Sequence, residues 1–141
     1  MAEVNKKVLI VEDEELLLKT LSERLIKEGY QILTAKDGEE GIQTALKEQP
    51  DLIILDILLP KIDGIAVMGK LRETNTWGKQ VPIILLTNLN IDDSIMNAVT
   101  KDKPAYYLVK TDWTMDQIAE KVKERLDRII IDAKAEEITK A

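Results

Sequence analysis

Leu52-Ile53-Ile54-Leu55 is apolar at every position and runs directly into Asp56, after which Pro60 and Gly64 turn the chain. A strand without polar alternation has no face to give to water, so both of its faces must be covered, as in a parallel sheet packed between layers of helix. Similar short runs rich in branched residues lie at Val8 to Val11, Ile32 to Ala35, Ile83 to Leu86 and Tyr106 to Val109, which makes five predicted strands. The segments between them carry helical spacing, as in Leu17, Leu21 and Leu25, then Ile42, Ala45 and Leu46, and later Ile91, Ile95, Ala98 and Val99. Boundary chemistry agrees: Asp37 with Glu40 and Thr114 with Gln117 fit capping boxes, and Gly29 stands where a helix should stop. Alternating strand and helix with right-handed crossovers predicts an α/β fold: a three-layer, doubly wound, five-stranded parallel sheet with about five helices.

The chain has 141 residues, enough for one well-buried core, and 45% apolar with 33% charged residues is an ordinary globular balance. A net charge of −6 without a lysine or arginine block argues against nucleic acid or an anionic membrane as partner. Cysteine and histidine are both absent, which excludes disulfides, thiolate or imidazole metal ligands, and cysteine nucleophiles. No segment approaches the roughly 18 apolar residues of a membrane span, so a cytoplasmic location is the expectation.

The first strand also ends on acid, at Glu12 and Asp13. In the flavodoxin-like order 2-1-3-4-5, strands 1 and 3 are neighbours at the switch point, so Glu12, Asp13 and Asp56 converge on one crevice. Like charges so placed repel, and a hard divalent cation with oxygen ligands relieves the repulsion; magnesium is the natural candidate. Strand 4 ends at Thr87 and strand 5 at Lys110, bringing a hydroxyl and an ammonium to the same rim. Carboxylate, hydroxyl, lysine and metal together suit a phosphoryl group.

With these residues in this order, and with Asp56-x-x-x-Pro60-x-x-x-Gly64 between them, the chain resembles a response regulator receiver domain of two-component signalling, of the single-domain chemotaxis-regulator type. The resemblance covers about residues 6 to 130; it implies a receiver domain at 6–131, with 132–141 a polar extension of the last helix or a frayed tail. It implies that Asp56 is the phospho-acceptor, Thr87 the switch hydroxyl, Lys110 the basic residue and Tyr107 the switch aromatic. Mg2+ would be held by Asp13, Asp56 and the backbone carbonyl of Leu58, with Glu12 acting directly or through water. The implied partners are a sensor histidine kinase or a histidine phosphotransfer protein as donor, and a downstream protein as receiver of the signal. A homodimer through the fourth helix, fifth strand and fifth helix, or through the C-terminal helix, is a further implied contact. The chain would catalyse its own phosphorylation by carboxylate nucleophilic attack, as a stand-alone relay and not as a conventional enzyme.

Tyr106 adjoins Tyr107, and strand alternation puts the two rings on opposite faces, so Tyr107 reads equally as a core residue. Thr111 follows Lys110 where the family has proline, so either the chain turns there through a trans bond or a strained cis bond is kept. Asn88 follows Thr87 in place of a small residue, and Lys103-Pro104 stiffens the approach to strand 5. These departures favour the alternative reading, a phosphorylation-independent interaction module. A haloacid dehalogenase type phosphatase would want an acid at Leu58, and a flavodoxin-like carrier lacks its phosphate loop after strand 1. Leu58 and Leu89 flank the site with side chains that cannot orient water, which predicts slow self-dephosphorylation. On the last helix Met115, Ile118, Val122, Leu126 and Ile129 share one face, whereas Ile131, Ala135 and Ile138 fall on the other.

Overall fold

A computed structural model describes residues 5–140, with side chains described through Arg128. The elements run β1 (Lys7–Val11), α1 (Glu15–Lys27), β2 (Gln31–Ala35), α2 (Gly38–Glu48), β3 (Leu52–Leu55), α3 (Gly64–Thr74), α4 (Thr76–Gln80), β4 (Ile83–Thr87), α5 (Asp93–Asp102), β5 (Tyr106–Val109) and α6 (Met115–Lys140). All strands are parallel, in the order β2-β1-β3-β4-β5. The expected three-layer α/β architecture is therefore present.

The apolar runs bury as their composition demands. Every residue of β3 is at most 2% exposed, because alternate side chains enter different layers. Ile53 and Leu55 pack with Val67, Met68 and Leu71 of α3 and with Ile42 and Ala45 of α2. Leu52 and Ile54 pack on the opposite face with Leu18, Leu21 and Leu25 of α1 and with Ile118, Val122 and Leu126 of α6. Truncating Ile53 to alanine would cost about 2–5 kcal/mol, the usual range for a fully buried aliphatic side chain.

Asp37 accepts from the Glu40 amide at 2.8 Å, and Thr114 and Gln117 exchange two bonds at 2.9 and 3.1 Å, so both expected caps form. Gly29 ends α1 at φ 101°, a conformation that favours glycine. Helix count and one helix start differ from expectation. A sixth helix, α4, follows α3; its start is capped by Asn75, whose side chain accepts from the Gly78 amide at 2.7 Å. Ile91 lies outside α5, 43% exposed, because Asp92 caps that helix by accepting from the Ile95 amide at 2.8 Å. The backbone of α6 continues to Lys140, whereas the side chains from residue 129 on lie outside the described residues, and with them the second apolar face of Ile131, Ala135 and Ile138.

Candidate functional site

Strand register builds the site. Val11 is paired with Leu55, so the next residues, Glu12 and Asp56, leave β1 and β3 side by side at their carboxyl ends. The ladder is extended at this level: the Asp56 amide donates to the Val11 carbonyl at 3.1 Å and the Glu12 amide to the Ala35 carbonyl at 3.0 Å. Glu12 and Asp56 are buried at 3% and 4% exposure, and Asp13 faces solvent beside them. Carboxylate oxygens of Glu12, Asp13 and Asp56 lie within 4.8 Å of one another. An all-oxygen donor set of this size and charge fits a hard divalent cation.

Gly64 shapes the floor. A Cβ there would come 2.1 Å from the Asp56 carbonyl oxygen, while its amide donates to the Ile57 carbonyl at 2.8 Å. The turn after Asp56 leaves no room for a side chain at this point, which accounts for the glycine.

On the other side of β3, Thr87 is paired with Val109, which sets Asn88 beside Lys110. The Lys110 ammonium donates to Asp56 Oδ2 at 2.8 Å, lies 2.8 Å from Glu12 Oε1, and is 3.6 Å from Glu14 Oε2. Asp56 Oδ1 accepts from the Leu58 amide at 3.1 Å, so both carboxylate oxygens are oriented. Burial pushes the Glu12 carboxyl above the ordinary glutamate range, against the opposing pull of Lys110 and the Glu14 amide, and the nearby Asp56 charge adds to the rise. Burial disfavours the charge on Lys110, but its hydrogen bonds to Asp56 and Glu12 outweigh that and hold the ammonium above the usual lysine value.

Every described peptide bond is trans, and the chain turns after β5 through a short 3-10 helix, Lys110–Asp112. Of the two arrangements open at Thr111, the trans turn is the one adopted, and Lys110 still reaches Asp56. Asn88 is exposed and lines a cleft of about 420 Å3 with Leu17, Lys110 and Met115, so its amide stands at the rim.

Thr87 is fully buried, and its Oγ1 accepts weakly from the Leu89 amide at 3.4 Å. Tyr107 packs half-buried against the α3 and α5 face, and its hydroxyl donates to the Leu89 carbonyl at 2.7 Å. Tyr106 packs on the opposite face, with the Lys121 ammonium 4.8 Å from its ring centre. The predicted site residues Glu12, Asp56 and Lys110 thus meet directly, Asp13 stands beside them with a carboxylate oxygen within 4.8 Å of those of Glu12 and Asp56, and Thr87 and Tyr107 are linked through the backbone of Leu89 in the loop after β4.

Glu14 was not among the expected site residues. It is the N-cap of α1, exposed, and makes no side-chain capping bond; its amide instead donates to Glu12 Oε2 at 3.0 Å. The unbroken acidic run Glu12-Asp13-Glu14-Glu15 was the available signal.

A family model described as the response regulator receiver domain matches residues 8–123. The alkaline phosphatase synthesis transcriptional regulatory protein PhoP of Bacillus subtilis is 46% identical over 84 residues, 60% of this chain and 34% of that protein. The chain spans about a third of the length of the curated relatives it matches. Among solved structures, a protein of Chloroflexus aurantiacus J-10-fl described as a response regulator superposes with TM-score 0.76 at 32% identity, covering 87% of this chain and 98% of its own. The receiver domain of the sensor histidine kinase PA1611 from Pseudomonas aeruginosa, solved with a magnesium ion coordinated in its active site cleft, gives TM-score 0.72 at 25% identity, covering 88% of this chain and 96% of its own.

Proposed function

The chain belongs to the response regulator receiver domain family, and on that premise we propose that Asp56 accepts a phosphoryl group from a phosphohistidine of a sensor kinase or phosphotransfer protein. The observation that carries the proposal is the convergence of three carboxylates within 4.8 Å of one another, with a lysine ammonium 2.8 Å from Asp56. An Asp56 carboxylate oxygen attacks phosphorus in line, the new P–O bond forming as the donor's P–N bond breaks and the imidazole departs. Lys110 steadies the carboxylate before transfer and neutralises phosphoryl oxygens after it; the Thr87 hydroxyl donates to one of those oxygens.

Glu12, Asp13, Asp56 and the Leu58 carbonyl would hold Mg2+, consistent with the magnesium coordinated in the PA1611 receiver. When bound, the ion supplies positive charge that offsets the oxyanions during transfer. Leu58, 55% exposed, and Leu89 present apolar side chains where an acidic or amide group could orient water, which supports slow loss of the phosphoryl group. The receiver spans 6–131, with 132–141 a polar C-terminal extension or tail, and the signal leaves through contact with another protein from the α5, β5 and α6 face. Among the described residues no helix is long and apolar enough to cross a membrane, and a cytoplasmic site of action belongs to the same proposal.

Phosphoryl transfer from phosphoramidate, followed by peptide mapping with and without EDTA, tests this reading. Label on Asp56 that depends on Mg2+ is the expected result; label elsewhere, or none, would leave the phosphorylation-independent module.

A further inference from the structure

Net charge is unevenly spread over this acidic chain. At the amino-terminal ends of β4 and β5, the far edge of the sheet from Asp56, a cleft of about 650 Å3 is lined by Arg72, Lys79, Lys101, Lys103, Arg125 and Arg128. Only two carboxylates among the described residues, Glu73 and Asp102, share that lining, so the cleft carries +4 while the chain totals −6, leaving −10 on the remainder. The Asp102 side chain is turned towards α3, where its Oδ2 lies 3.5 Å from the position of a Cβ on Gly69. Glu73 is exposed and pairs at 3.9 Å with Lys101.

The cleft has a fixed floor. Arg72 donates to the carbonyls of Asp102, Gly78, Val81 and Lys103 at 2.7, 2.9, 2.7 and 3.3 Å, clamping the α4–β4 and α5–β5 connections together. Those four bonds hold a guanidinium among carbonyl dipoles with no carboxylate bonded to it among the described residues. Pro82 and Pro104, also in the lining, have no amide hydrogen to offer, and the side-chain donors at this edge are the cationic groups and the Gln80 amide.

We propose that this cleft binds a compact polyanion carrying a chain of phosphate groups. Its volume lies within the roughly 300–1,000 Å3 of small-molecule sites. Arginine forks on α6 and lysine ammonium groups on α4, α5 and the loop after α5 suit several phosphate oxygens at once. Compactness follows from the charge distribution. At physiological salt the screening length is about 8 Å, so a small ligand feels mainly the cleft, whereas a nucleic acid strand or acidic polypeptide would continue onto a surface of its own sign.

The test is calorimetric titration of the full chain with sodium tripolyphosphate in EDTA, beside the variant Lys79→Ser/Lys103→Asn/Arg125→Ser. Asparagine is chosen because Lys103 has φ 49°, which asparagine tolerates. Saturable one-to-one binding, weakened at least tenfold in the variant and weakened also by added salt, is expected. ATP binding as tightly as tripolyphosphate would assign the phosphate chain alone, and ATP binding tenfold tighter would assign a nucleotide; either supports the site. Amide shifts induced in the unmodified chain should centre on residues 79–81, 101–103 and 105. No saturable binding, equal binding by the variant, shifts centred on Glu12, Asp56 and Lys110, or tighter binding of a 12-residue oligonucleotide or of polyglutamate would overturn the proposal.

Discussion

The Tyr107 hydroxyl donates to the backbone carbonyl of Leu89 at 2.7 Å, joining the middle of β5 to the loop that leaves Thr87. The same loop returns the Leu89 amide towards Thr87 Oγ1 at 3.4 Å, so a movement of either side chain is felt by one peptide segment. Replacing Tyr107 by phenylalanine removes the hydroxyl and keeps the ring. Urea unfolding at pH 7 should show a loss of about 1 kcal/mol, the usual net worth of one hydrogen bond.

Tyr107→Phe should also change the alkaline limb of stability. Burial, with the charges of Asp92 and Asp56 adding, raises the Tyr107 hydroxyl above the ordinary value of 10.0. A raised folded-state value means the folded chain holds this proton more tightly. Its contribution is therefore complete below pH 10.0 and is lost as pH rises through the folded value. Urea midpoints measured from about pH 9 to pH 11 should fall less steeply in Tyr107→Phe than in the unmodified chain.

Lys110 is the cation closest to two buried carboxylates, at 2.8 Å from each. Lys110→Met leaves Glu12 and Asp56 without it, and removing one partner of a buried ion pair costs about 3 kcal/mol. That loss is expected in EDTA by urea unfolding. Added Mg2+ should recover most of it, because a divalent ion can take over the charge.

Arg72 clamps two connections through four carbonyls. Arg72→Ala should lower stability by about 3 kcal/mol in urea, from lost hydrogen bonds to buried acceptors. Arg72→Lys should restore little, since a single ammonium cannot reproduce the planar fork.

Leu58→Asn with Leu89→Glu places water-orienting groups beside the proposed phosphoryl site. The decay of phosphorylated protein, followed by intact mass, should be faster in the double variant than in the unmodified chain.

Much of the site was legible because parallel register fixes where strands end. Once β1 and β3 are neighbours, Glu12 must emerge beside Asp56, and Lys110 beside Asn88, whatever the loops do. Residues whose roles depend on loop geometry were not legible. Glu14 lies in an acidic run with nothing in the pattern to single it out, and its 3.6 Å approach to Lys110 depends on how α1 enters. The partner of Tyr107 is a backbone carbonyl, which no side-chain pattern announces. Likewise α4, Thr76-Trp77-Gly78-Lys79-Gln80, has no apolar period and carries a glycine. It forms because Asn75 caps it, the Trp77 indole donates to the Pro50 carbonyl at 3.0 Å, and Arg72 holds the Gly78 carbonyl at 2.9 Å, all of them tertiary or capping contacts.

The central claim is that Asp56 is the phospho-acceptor, and intact mass measures it most directly. The chain and its Asp56→Ala variant are each incubated with Mg2+ and acetyl phosphate under identical conditions. A gain of about 80 Da in the unmodified chain alone is the predicted result. An equal gain in Asp56→Ala, or no gain in the unmodified chain while Mg2+ binding is demonstrated, would contradict it.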